Sequence, residues 1–349
     1  MPSFCSFLVF APNQTELVKS LCRKAGWNVR FIPDPSKRYK FYTSGYSEIA
    51  QPGALADYGS LREGEVHGQL LVVEAEETEA NNIIQLIRAS NVVIEGFSDQ
   101  KYGNPGGFEI PGDTPGKISV FKNVFQTTGF FERFSFKEER PVAVAMAVNA
   151  WSDSRTVYAT HKLSHSYETE AITPWSTHPA HGQMFEKHSG EFSDHVRTST
   201  AINLAFSAIE ELNLQVKSSR EKPRWLDNEY TWNPTVLKDI KARLERAGIN
   251  PERTVDWVVR GSETEPAIQP ARNRFSSYSD GKTIRDIELS LPDAIHACSF
   301  LRNYMTAHAF GGETPLLGPY EVYNVQQVAR LLILSKCGVW NARTVDLSN

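Results

Sequence analysis

The chain has 349 residues, 40% hydrophobic and 22% charged, with a formal net charge of −4. That length and mix describe about two globular domains with ordinary cores. They exclude a chain whose overall charge would attract nucleic acid, so any such contact needs a local patch. Four cysteines, Cys5, Cys22, Cys298 and Cys337, are scattered through apolar segments with no CxxC pair. They indicate neither a zinc knuckle nor a disulfide framework, but buried thiols in a reducing compartment. MPSFCSFLVFAPN has no basic leader and too short an apolar run for a signal peptide. No apolar run approaches the ~18 residues of a membrane span, so the expectation is a cytoplasmic chain.

Phe4 to Ala11 is β-rich and apolar and reads as a buried strand. Thr15 to Ala25 follows as a short amphipathic helix, with Leu17, Val18, Leu21 and Cys22 on its apolar face and Gly26 as its cap. Trp27 to Ile32 is a second strand, PDPSKRYK a charged turn, and FYTSGYSEIAQPGALADYGS a loop. Gly68 to Ala75 is a strong strand. Glu79 to Ser90 is a helix leading into a further apolar run at Asn91 to Ile94. This alternation predicts a mixed α/β module. The glycine- and proline-rich stretch at 97–117 holds Gly112-Asp-Thr-Pro-Gly116-Lys117, one residue short of a phosphate loop and preceded by proline, and reads as a surface loop. Phe125, Phe130, Phe131, Phe134 and Phe136 follow, for packing or, with Lys122, Arg133 and Lys137, for stacking on bases. The composition changes at 137–141. The fold class expected is therefore α+β: a mixed α/β module over 1–137, able to sense a trigger or bind a partner, then an all-α bundle over 138–349.

From Val142 the pattern is helical, as one long helix or two broken near Ser152-Asp153. Six of the nine histidines follow within 35 residues: His161, His165, His178, His181, His188 and His195. His161 and His165 have the i,i+4 spacing of a metal pair. No HExxH acid and no cysteine accompanies them, so a polar helix end and an ordered loop are preferred, with no metal and no cofactor. Asp194 caps a helix to about Val216, with Ala201, Leu204, Ala205, Ala208, Ile209 and Leu212 as its apolar stripe. Asn233-Pro234 opens another that ends at Gly248, and Asn250-Pro251 a third that closes at Gly261. Residues 262–281 are a polar loop with Arg272 and Arg274, placed to reach phosphate if it lies beside a site. Pro319 to Cys337 is the last helix, with Gly338 as its stop.

The most function-like constellation is LPDAIHACSFLRNYMTAHAFGG, Leu291 to Gly312. Pro292 suits a first helical turn, Gly311-Gly312 a stop, and Leu291, Ile295, Cys298, Leu301 and Met305 make an apolar stripe. At about 100° per residue, Arg302 and His308 diverge by roughly 120° and rise about 9 Å. His308 continues the stripe, while Arg302 sits on its flank. A long arginine reaches a shared pocket most easily if a second copy of the helix packs alongside. Otherwise His308 is a hydrogen-bonded core histidine and Arg302 pairs with a carboxylate.

RNYMTAH, near the end of a helix in an expected all-helical region, resembles the Arg-x(4–6)-His signature of HEPN-superfamily ribonucleases, in which a polar residue such as Asn303 follows the arginine. The helices AINLAFSAIEELNL from Ala201 and Tyr320 to Cys337 are laid out like that family's bundle. The resemblance implies metal-independent cleavage of RNA at a site built across a homodimer. Arg302 would stabilise the phosphate, His308 act as general acid/base and Asn303 orient them. It also implies toxin or phage-defence roles by analogy. Some members bind RNA or act as scaffolds without cutting. A non-catalytic helical interaction or RNA-binding protein is therefore the alternative, and a metal-dependent hydrolase using the histidines of 161–195 a third.

Overall fold

The computed structural model describes residues 1–42, 45–48, 61–96, 107–110, 140–170, 192–260, 268, 284–306 and 317–339. The chain divides into two compact units, residues 1–91 with 102–152, and 92–101 with 153–349.

In the first unit β1 (Ser3–Phe10) is followed by α1 (Thr15–Lys24), β2 (Val29–Tyr42), β3 (Gly45–Glu48), β4 (Glu65–Glu74), α2 (Glu77–Glu95, its last turn in the second unit), β5 (Phe108–Ile110) and α3 (Arg140–Trp151). The sheet runs β3-β2-β4-β1-β5, and every neighbouring pair is antiparallel. With β3 taken as a hairpin extension of β2, this is the split β-α-β-β-α-β arrangement. Every residue of β1 is buried, as a continuous apolar run at the centre of a two-sided sheet should be. Cys5, Phe7 and Val9 pack with Ile32, Tyr39, Leu70, Val72 and Ile110 on one face. Just before β5, a Cβ at Gly107 would meet Ile84 Cδ1 at 2.5 Å and the Cys5 carbonyl at 3.1 Å, so a larger residue would displace the buried Ile84 side chain. Gly26, at φ +74°, ends α1 as its spacing predicts. Single-strand RNA-binding sheets stack bases on open aromatics. Here Phe7 and Tyr39 are only 6% and 0% exposed, so these two rings are closed to bases.

Five expectations are corrected in this unit: β3 lies in the stretch from Phe41 read as a loop, β5 in the surface loop expected at 97–117, and three more concern β2, α2 and α3. The charged turn at PDPSKRYK is the middle of β2, because a shift of register between Asp34 and Arg38 absorbs the prolines and Tyr39 then pairs with both Val66 and Glu48. The run Asn91 to Ile94 completes α2 rather than starting a new element. Helix α3, expected in the C-terminal half, groups with the first unit: Trp151 packs edge-on against Trp27 at 5.4 Å, and buried Arg140 donates to the Val9 carbonyl at 2.6 Å while covering the Phe10 ring. The break placed after residue 137 lies outside the described residues, as do the five phenylalanines of 125–136.

The second unit contains α4 (Ser154–Thr169), α5 (Phe192–Glu211), α6 (Pro234–Arg246), β6 (Thr254–Arg260), β7 (Ile284–Ser290), α7 (Leu291–Phe300), a π-helical turn (Leu301–Thr306) and α8 (Pro319–Lys336). Between the two readings offered for 142–163, two helices is the one found. Asp153 stops the first and caps α4, accepting from Arg155 N at 3.1 Å and Thr156 Oγ1 at 2.7 Å. Helices α4 and α5 run antiparallel. Ser166 Oγ donates to the Ala201 carbonyl at 2.7 Å, and Lys162 reaches Ser207 at 2.8 Å and Glu211 at 2.6 Å. Gln326 of α8 donates to Ser166 at 3.0 Å, and Arg330 caps the last carbonyls of α2, Val93 at 2.7 Å and Ile94 at 2.5 Å.

The half expected to be all-α is not. β6 and β7 form an antiparallel pair from Thr254↔Ser290 to Arg260↔Ile284. The stretch read as a third helix, TVDWVVR, is rich in β-branched residues that lose χ1 freedom in a helix and pack well on a sheet. Asn324 of α8, 1% exposed, closes the outer edge of β6: its amide accepts from Val258 N at 2.9 Å and donates to Val258 O at 2.8 Å. The molecule is thus mixed α/β in both halves. No described helix is long and apolar enough to cross a membrane.

Candidate active site

Helix α7 positions the motif. Ser290 caps it, accepting from Asp293 N at 3.3 Å, Pro292 occupies the first turn, and residues 291–299 are all buried. One helix from 291 to 312 was expected. Instead the α-helix ends at Phe300 and Leu301–Thr306 form a π turn. Such widened turns concentrate at functional sites. They also change the angle per residue, so the 120° divergence of an ideal helix does not hold across 301–306.

Leu301 is buried on this turn, while Arg302, Asn303 and Thr306 are half-buried. Asn303 Oδ1 accepts from Arg302 Nη1 at 2.7 Å, and its Nδ2 donates to Ser299 Oγ at 3.1 Å. The amide therefore locks the guanidinium against α7. The Thr306 hydroxyl lies 2.9 Å from Asn203 Oδ1 and 3.0 Å from the Arg302 carbonyl, tying the end of the turn to α5. Arg302 forms no ion pair with another described residue. His308, Arg272 and Arg274 lie outside the described residues.

Arg302 lines a cleft of about 390 Å³ with Thr200, Asn203, Leu204, Ser207 and Glu210, all from one face of α5. That volume is within the range of small-ligand sites. The α5 residues were missed from sequence although a signal exists: Thr200, Asn203, Ser207 and Glu210 fall at spacings of three and four, a polar stripe beside the apolar one. Leu204, assigned to the buried stripe, is half-buried and lines the cleft. Chemically, the cleft offers one fixed cation, an amide, two hydroxyls and one carboxylate. The arginine, amide and hydroxyls suit a phosphate on Arg302 with neutral hydrogen bonds around it, and the Glu210 carboxylate opposes one.

Of the six clustered histidines, His178, His181 and His188 lie outside the described residues. His161 is half-buried, with its pKa lowered by burial and by nearby His165. His165 pairs with Glu168 at 2.8 Å, and His195 is buried on α5. Among the described residues no group of three or more His, Cys, Asp or Glu could hold a metal ion. All four cysteines are buried thiols outside any disulfide; burial pushes the Cys22 and Cys337 thiols up to about 12.

Two turns before Arg302, α7 carries a buried knot. His296 Nδ1 accepts from Arg224, and its ring meets Trp225 and Trp232 edge-on. Trp232 Nε1 donates to Asp293 at 2.9 Å. Burial first, and then the Arg224 charge, hold the His296 pKa well below 6.5. The unfolded chain gains a proton here near pH 6.5, whereas the folded chain stays neutral. Stability from this residue is therefore intact above about pH 6.5 and falls as the pH drops below it. His161 and His67, both lowered chiefly by burial, act in the same direction. The urea midpoint is expected to fall between about pH 7 and pH 5. His296→Asn, whose amide oxygen takes the Arg224 hydrogen bond, should flatten part of that fall. Identical slopes for both proteins would mean that His296 does not stay neutral in the fold.

Compared with models of known families, with curated proteins and with solved structures, the chain matches none, and its chemistry is read from its own residues.

Proposed function

We propose that the chain is a metal-independent endoribonuclease that cleaves RNA by attack of the 2′-hydroxyl on the adjacent phosphate, at a site completed by a second copy of itself. RNA carries its own nucleophile, so the protein has only to remove its proton, protonate the leaving 5′-oxygen and stabilise charge on the phosphorane. Arg302 is the phosphate stabiliser, a fixed fork of donors suited to two phosphate oxygens. His308 is the general acid/base, the side-chain type able to take and return a proton under physiological conditions. Asn303 is the orienting residue.

One histidine per chain supplies only one of the two proton transfers. A two-fold dimer brings two copies of one surface together and so completes the set. The observation that carries this reading is Arg302, half-buried on a π turn, hydrogen-bonded to Asn303 and lining a cleft with the hydroxyls of Thr200 and Ser207 and the amide of Asn203. The likeness of RNYMTAH to the HEPN signature points the same way. Glu210 favours the second reading, a non-catalytic interaction or RNA-binding module, because a carboxylate in the same cleft repels a phosphate.

The test is a labelled RNA of mixed sequence beside the same oligonucleotide carrying 2′-O-methyl groups throughout. The RNA should be cut to fragments ending in 2′,3′-cyclic phosphate and the methylated strand left whole. Equal cleavage of both would rule out 2′-hydroxyl attack.

A further inference from the structure

The segment between α5 and α6, residues 212–233, carries Lys217, Arg220, Lys222 and Arg224 within eight positions, directly before Trp225. Charge runs are commonly floppy solvated chain, but this one is held at both ends. At its start, buried Arg243 of α6 donates to the carbonyls of Asn213 at 2.7 Å and Gln215 at 2.8 Å. At its end, Trp225 and Trp232 form an antiparallel bridge with rings 4.4 Å apart, and Trp225 also meets Tyr230 and His296. Asn233 fixes the middle by donating to the Pro223 carbonyl at 2.9 Å.

The result is an ordered arm. Lys217, Arg220 and Lys222 are exposed along it, and Trp225 and Tyr230 are half-buried, leaving part of each ring open. The opposing charges are Glu221 on the arm and Asp227 and Glu229 at the far turn; Asp227 is already engaged, accepting from the Glu229 and Thr231 amides at 3.0 Å. Residues 217–224 thus carry four cations and one acid, a local charge of +3 on a chain of net −4.

We infer that this arm, Lys217 to Trp225 with Tyr230, is a contact surface for single-stranded RNA: exposed cations on successive phosphates and aromatic rings on bases. Basic residues beside open aromatic rings bind single strands in this way, with stacking that tolerates any sequence. An arm already fixed at both ends loses little freedom on binding. Its position fits the proposed site, because Trp225 touches His296 of α7 and Arg302 follows six residues later, on the π turn that continues α7. The inference rests on the ribonuclease reading for its substrate, but binding tests it apart from cleavage.

The experiment is fluorescence anisotropy of a labelled 12-nucleotide single-stranded RNA with the full chain, across a salt series. Beside the wild type stand Lys217→Ala/Arg220→Ala/Lys222→Ala, Trp225→Phe, Trp225→Ala and Arg302→Ala, each first checked by circular dichroism. The triple variant should bind at least about tenfold more weakly and lose roughly 2 from the slope of log K against log salt, about 0.7 per lost phosphate contact. Trp225→Ala should weaken binding about tenfold, and Trp225→Phe, which keeps a ring, less. Arg302→Ala, which removes one phosphate contact at the cleft, should weaken binding less than the triple variant does. The matching DNA strand and a duplex RNA distinguish a general polyanion site from a single-strand one. Equal binding of duplex, wild-type affinity in the triple variant, or no binding by the wild type would each overturn the inference. Absence of cleavage alongside arm-dependent binding would sink the ribonuclease reading and leave this one standing.

Discussion

Replacing Arg302 with alanine is expected to slow RNA cleavage about 10²- to 10³-fold, the usual cost of removing a donor aimed at developing charge. The residue is half-buried and its hydrogen bond is to its neighbour Asn303, so unfolding stability should change by less than about 1 kcal/mol. Arg302→Lys keeps the charge but not the planar fork and should fall between the two. Asn303→Ala should give a milder loss, because the amide acts through the guanidinium it holds. Single-turnover rates on a labelled RNA, beside urea unfolding of each variant, separate these effects. Full activity in Arg302→Ala would remove the arginine from the chemistry, and equal losses of activity and stability would make its role structural.

The second large effect is on stability. Asn324→Ala leaves the N–H and C=O of Val258 without their partners in a position where Asn324 itself is 1% exposed. An unsatisfied buried backbone group costs about 1–3 kcal/mol, so the pair should cost roughly 2–6 kcal/mol. Gln327→Ala, half-buried one turn away, should stay within about 1 kcal/mol. Urea denaturation of the two variants measures the difference. A change below about 1 kcal/mol in Asn324→Ala would mean that water or a relaxed strand edge satisfies Val258 instead.

Sequence patterns located most helices and, in the first unit, β1, β4 and the start of β2, because their signals are local; the short β3 and β5 lie in stretches that read as loops. Period-3.6 stripes, Asp153 and Asn233 as caps, and Gly26 as a stop each act within a few residues. The errors lie where tertiary partners decide. PDPSKRYK reads as a turn until a bulge and two neighbouring strands accommodate its prolines. TVDWVVR, between a helix cap and a polar loop, has its strand fixed by distant Ile284–Ser290 and by an amide from α8. The break between units follows the packing of Trp151 on Trp27, which composition does not reveal.

At the site, the Arg302-Asn303 pair was legible as a motif and the α5 stripe as a periodicity. That the two share a cleft was not, because it depends on how α5 meets a widened turn. The basic arm escaped notice for a similar reason. Its cations look like ordinary solvated charge until Arg243 and the Trp225–Trp232 bridge hold them in place.

The most direct test of the central claim is incubation of the full chain with a mixed, labelled RNA pool in excess EDTA. The account predicts cleavage unaffected by the chelator, with 2′,3′-cyclic phosphate ends, and its loss by about 10²- to 10⁴-fold in His308→Ala. An RNA pool that stays intact in EDTA but is cut once magnesium or zinc is restored would contradict it.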